Sequence, residues 1–222
     1  MSPSIPTSYR SHGGWTRATA AIAAWFTVAL VGSVLGAFDS RARPPILLGA
    51  AALLPVLAFA ITYARSQPLR SWVTTSADLR LLTLAHIWRL AGVVFIILYA
   101  RGLLPGSFAL SAGLGDMAIG ATAPLVAWLI HARGANLPRR ALVVWNLLGL
   151  ADLITAVGLG VLSSQSRIGV LAAGGVTTRL MGTFPLALIP TFFVPLLAIL
   201  HLVALTRLAH LQTGQTSRPA RA

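Results

Sequence analysis

Leu81–Tyr99 reads LLTLAHIWRLAGVVFIILY. At about 1.5 Å per residue, a helix of this length crosses nearly all of the ~30 Å hydrocarbon core of a bilayer. Its interior nevertheless carries His86 and Arg89. Three residues apart, they share one helical face, which Gly92 and Val93 continue. A charge at mid-membrane costs about 2.5–3.5 kcal/mol on insertion scales, so it normally faces protein or water and has a partner. The segment therefore predicts a central helix with the rest of the chain gathered around it.

The composition agrees with that reading. Of 222 residues, 56% are hydrophobic and only 9% charged, against about 25% charged in soluble domains. The mean hydropathy is +0.81. All 17 basic side chains are Arg and all 4 acidic ones are Asp; Lys, Glu and Cys are absent. Without Lys there is no Walker A lysine and no Schiff base. Without Glu there is no HExxH zinc helix, and without Cys no disulfide, thiolate nucleophile or CxxC site. The net charge of +13 does not point to nucleic acid. The arginines are spread through short loops and tails, as beside membrane spans, and not clustered on a soluble domain.

The fold expected is an all-α integral membrane protein, a bundle of six transmembrane helices. Residues 1–14 read as a disordered tail, 15–207 as one transmembrane domain and 208–222 as a second tail. The spans are expected near Ala18–Phe38, Ile46–Ala64, Leu81–Tyr99, Phe108–Ile130, Ala141–Leu162 and Phe184–Leu205. Arg10 and Arg17 ahead of the first apolar run resemble a signal peptide. That run is longer than a usual signal core, and Leu35-Gly36-Ala37 is a poor cleavage site, so a retained helix is expected. Gly32 and Gly36 form a GxxxG pair, a contact face for another helix. Asp39–Pro45 reads as a loop. Ser76 is the expected N-cap of the third helix, with Asp78 in its first turn. Residues 163–180, rich in Ser, Gly and Thr, read as the longest internal loop. Trp15, Tyr63, Tyr99 and Trp128 fall near span ends, where an aromatic belt belongs.

Six spans put both ends on one side. Eleven arginines lie there (10, 17, 65, 70, 80, 133, 139, 140, 207, 218 and 221) and five opposite (41, 43, 101, 167 and 179). The positive-inside rule thus predicts cytoplasmic termini. The Arg-only, Cys-free, Ala/Leu-rich usage fits a GC-rich bacterial genome, so the expected location is an inner membrane.

Besides His86 and Arg89, the spans hold Asp116, Asn146, Asp152 and His201. At about 1.5 Å per residue all six fall within roughly 10 Å of the midplane. Asp116 has Ala112, Gly113, Ile119 and Gly120 at helical spacing, and Asp152 has Leu148, Gly149, Thr155 and Ala156. Small residues mark helix-to-helix contact, so both carboxylates are expected to point inward. One Arg against two Asp leaves one negative charge over. The carboxylate nearest Arg89 is expected to stay ionised, leaving the other to take a proton or cation. Pro185, Pro190 and Pro195 should interrupt the sixth span and free carbonyls near residues 181, 186 and 191. Broken helices of that kind line many transport sites.

These residues lead to a transporter-like protein binding a small solute, proton or cation. Arg89 would be the fixed positive charge, Asp116 or Asp152 the titrating carboxylate, and His86, Asn146 and His201 the polar lining. A structural ion pair in a membrane subunit without substrate is the plain alternative. His86 and His201, at similar depth on different helices, are also candidates for axial ligands of haem b. Finally, Gly113-Leu114-Gly115-Asp116 resembles the GxGD motif of intramembrane aspartyl proteases. The resemblance implies Asp152 as the second catalytic carboxylate, and Pro185-Leu186-Ala187-Leu188 is similar to their PAL element. The order differs, because in presenilin-like members the GxGD helix follows the other Asp.

Overall fold

The computed structural model describes residues 8–39, 46–136, 138–172 and 175–216. The tail residues 1–7, loop residues 40–45 with Arg41 and Arg43, and tail residues 217–222 with Arg218 and Arg221 lie outside them. The described residues form helices and no strands. Six helical segments are long and apolar enough to cross a membrane.

Helix α1 is Ser8–Val34, α2 Ile46–Arg65 and α3 the short Gln67–Thr75. Helix α4 spans Leu79–Ala100, α5 Gly106–Arg133 and α6 Arg139–Leu162. A π turn, Ile189–Phe193, runs straight into Val194–Thr216, and the two together are α7. Outward faces carry Val28 and Val31 on α1, Leu53, Leu54, Leu57 and Ile61 on α2, and Leu147, Leu148 and Ile154 on α6. Apolar side chains turned outward on every side are what a hydrocarbon solvent favours.

Helix α4 is the axis of the molecule and packs along its length against α5. Two apolar clusters sit at its ends. Leu82 joins Val73, Ala77, Val203 and Ala204 at one. Phe95 joins Leu104, Phe108, Ala109, Ala112 and Met181 at the other. The polar residues of α4 lie between them.

Several expectations are corrected. Helix α1 begins at Ser8 and α7 runs to Thr216, so both enter stretches read as tails. The polar segment after Arg65 folds as α3, capped by Ser66, whose hydroxyl accepts from the Leu69 amide at 3.3 Å. Arg70 of that helix turns back to donate to the Tyr63 and Ala64 carbonyls, which the end of α2 leaves open. Asp78, not Ser76, caps α4. Its carboxylate accepts from the amides of Arg80 at 2.8 Å and Leu81 at 3.4 Å, while Ser76 ends α3. Gly36 lies beyond the end of α1 with φ +70°, and Gly32 is covered by Phe38 of the same chain. The pair is therefore a helix stop and not a stripe for another helix.

The loop after α6 is anchored to the bundle at both ends. Ser163 and Thr178 are buried, and the Thr178 hydroxyl donates to the Gly160 carbonyl at 2.6 Å. The prolines interrupt the last span only at its start: Pro185 precedes it and Pro190 lies in its π turn. Pro195 has no amide to give the Thr191 carbonyl four residues back. That carbonyl instead accepts from the Trp25 indole of α1 at 3.2 Å.

Candidate functional site

The middle of α4, Ala85–Gly92, is wound as a 3₁₀ helix, with His86, Arg89 and Gly92 buried. At three residues per turn, positions three apart eclipse one another, so these three form one column facing the bundle. Arg89 ends that column in a set of partners from three other helices. Its Nε donates to Asp116 Oδ1 of α5 at 2.7 Å, and its Nη2 to Asp152 Oδ2 of α6. Its Nη1 donates to the Gly149 carbonyl of α6 at 3.2 Å and meets His201 Nε2 of α7 at 3.3 Å. The guanidinium is closed off completely, while both carboxylates keep a little exposure.

The network continues on the other side of His201. Its Nδ1 lies 2.8 Å from Asn146 Oδ1, and the Asn146 amide donates to the Leu142 carbonyl at 2.8 Å. Asn146 and Asp152 are six residues apart, roughly 120° round α6 at 3.6 residues per turn. One therefore holds His201 and the other Arg89. The His86 and His201 rings stack with centroids 3.9 Å apart, and Trp145 closes the edge at 5.5 Å and 5.6 Å. Nδ1 of His86 is buried without a hydrogen-bond partner among the described residues.

All six residues singled out in the sequence thus occupy one place. The division into one paired and one separate carboxylate is corrected, because Asp116 and Asp152 share the same guanidinium. Bis-histidine haem ligation is corrected as well. Axial imidazoles need an iron and its macrocycle between them, and rings in face-to-face contact leave no room. The GxGD comparison meets a similar obstacle, since Arg89 stands between two carboxylates that a shared-proton dyad would bring together.

Sequence reasoning marked Gly149 as a contact position but missed Gly115, and missed which side chain each of the two admits. A Cβ on Gly115 would overlap Asp152 Oδ1, and one on Gly149 would overlap the His201 ring. Each glycine is thus the space in which a polar side chain of a neighbouring helix sits, Asp152 of α6 against α5 and His201 of α7 against α6. It missed the cavity too. A largely apolar space of about 110 Å³ runs from Asp116, past Phe95, Phe108, Leu153 and Ala52, to Arg179 and Gln165. Of the network, only Asp116 lines it. Arg179 pairs with Asp39 through Nε at 3.1 Å and Nη2 at 3.2 Å. That hydrogen-bonded carboxylate raises the arginine's pKa further, so both partners are ionised and this exposed pair carries no net charge.

No curated protein and no solved structure matches the chain. Residues 44–209, which hold the whole Arg89 network, match the family model described as Domain of unknown function (DUF8737), and the chain belongs to that family.

Proposed function

We propose that this is a membrane-embedded, transporter-like protein that binds a proton or small solute at the Arg89–Asp116–Asp152 centre. One observation carries the reading. The centre has one more carboxylate than it has cations, and the carboxylate that carries Arg89's Nε also lines a cavity leading up to it. A surplus charge in a low-dielectric interior calls for a proton or a cation. Asp116 is the group placed to exchange one, with Asp152 holding Arg89 behind it.

The protein spans a bacterial inner membrane with both termini in the cytoplasm, on this reading. The arginine count supports that orientation. The cavity's rim, near Arg179, then opens to the opposite side. With no native Cys, Gln165→Cys and His210→Cys make single labelling sites. An impermeant thiol reagent added outside should reach the first and not the second; the reverse pattern overturns the orientation.

The proton-binding claim is tested by infrared difference spectroscopy of the protein in lipid vesicles across an acid–base titration. A protonated-carboxyl stretch is expected that disappears in Asp116→Asn. Carboxylates ionised throughout, or a signal unchanged by that substitution, would leave a structural ion cluster. That second reading has its own support, because Arg89 ties three helices to its own through almost all its donors.

A further inference from the structure

Resting on that reading, we infer that the solute is a small hydrophobic organic cation, an ammonium with an apolar body about the size of a benzene ring, bound at Asp116 in exchange for a proton.

Charge decides the head group. Arg89 faces Asp116 from α4, Asp152 faces the same guanidinium from α6, and His201 reaches it from α7. His86 stacks on His201, and neither ring lines the cavity. At the far end Arg179 and Asp39 cancel. The sum at the floor is one positive charge against two negative. An anion cannot use Arg89, because its side chain is closed off and does not line the cavity. Asp116 Oδ2 accepts no hydrogen bond among the described residues, so one carboxylate oxygen is left for a donor.

Chemistry decides against a bare metal ion. Hard cations take several oxygen ligands, and the described residues contain no cluster of three or more ligating side chains. An ammonium needs one carboxylate if the rest of the molecule is content with apolar walls. The walls supply that, with Phe95 and Phe108 5.4 Å apart and Leu48, Ala52, Leu153 and Val157 around them. The volume of about 110 Å³ is comparable with the ~150 Å³ apolar cavity that admits benzene.

Exchange follows from the same sum. With Asp116 protonated, the centre is neutral and an arriving ammonium must send that proton to solvent. With the ammonium bound, the ion balance is again neutral. Proton and organic cation therefore exclude each other, and no bond other than Asp116 O–H breaks.

The test is calorimetry on the full chain in detergent with benzylammonium, benzyl alcohol and benzoate, each in two buffers of different ionisation enthalpy. Benzylammonium should bind at least tenfold more tightly than the other two, weaken at acid pH and release a proton. Asp116→Asn should cost it at least tenfold. Gly49→Leu, on the cavity wall of α2 where a Cβ meets nothing within 4 Å, should block it without touching the network. Equal binding of benzyl alcohol, preference for benzoate, or indifference to Asp116→Asn overturns the cation assignment. So does the absence of binding by all three probes. If the Asp116 infrared signal persists in that case, the centre handles protons alone and the proposed function survives.

Discussion

His201 is a neutral donor–acceptor relay, and Arg89 is what fixes its form. A guanidinium only donates, so Nε2, 3.3 Å from Arg89 Nη1, must accept, and the ring's proton sits on Nδ1, aimed at Asn146 Oδ1. The Asn146 amide is oriented in turn by the Leu142 carbonyl.

Asn146→Leu should therefore leave a buried N–H with no acceptor. The expected cost is about 1–3 kcal/mol, read as a lowered midpoint in thermal unfolding followed by circular dichroism in detergent. An unchanged midpoint would mean that the Asn146–His201 hydrogen bond adds nothing to stability and would contradict the relay.

Arg89→Met removes the cation and leaves two carboxylates facing each other. Breaking one side of a buried ion cluster costs about 3–5 kcal/mol, enough to suppress accumulation in the membrane. Neutralising the acids as well, in Arg89→Met/Asp116→Asn/Asp152→Asn, should restore accumulation while the Asp116 infrared signal stays absent. Failure of the triple variant to accumulate would assign Arg89 a packing role beyond its charge.

Gly149→Ala and Gly158→Ala form a matched pair on α6. The first drives a methyl into the His201 ring, whereas at Gly158 a Cβ meets nothing within 4 Å. Gly149→Ala should destabilise, and Gly158→Ala should be neutral or gain about 0.5–1 kcal/mol from the better helix former. Equal midpoints for the two would contradict the placement of His201.

Trp25→Phe keeps an aromatic ring against Phe192, 4.9 Å away, but removes the donor that serves the Thr191 carbonyl. A loss of about 1 kcal/mol is expected. Because this bond ties α1 to α7, limited proteolysis should also release α1 sooner than in the unsubstituted chain.

The spans and the polar centre were legible in the sequence for one reason. Hydrocarbon tolerates so few polar groups that Arg89, Asp116, Asn146, Asp152 and His201 stood out against their surroundings, and small neighbours gave their facing. The pairing was not legible, because one guanidinium can serve two carboxylates and only packing decides whether it does. Depth gave no help with His86 and His201. Equal height suggests coordination across a gap, whereas the two rings are in contact. The cavity was hidden for a different cause. Its walls come from residues such as Leu48, Phe95, Leu153 and Val157, which in sequence look like any lipid-facing positions.

The 3₁₀ winding of Ala85–Gly92 has a mechanical consequence. Eight residues at about 2.0 Å and 120° each, in place of 1.5 Å and 100°, make α4 about 4 Å longer and turn its two ends by about 160° relative to an unbroken α-helix. Relaxing that stretch would swing Leu79–Leu84 almost half a revolution against Val93–Ala100 and carry either His86 or Arg89 away from its contacts. The ionic cluster and the stacked imidazoles therefore hold the two halves of α4 in one rotational register, because both sets of contacts are met together only at three residues per turn.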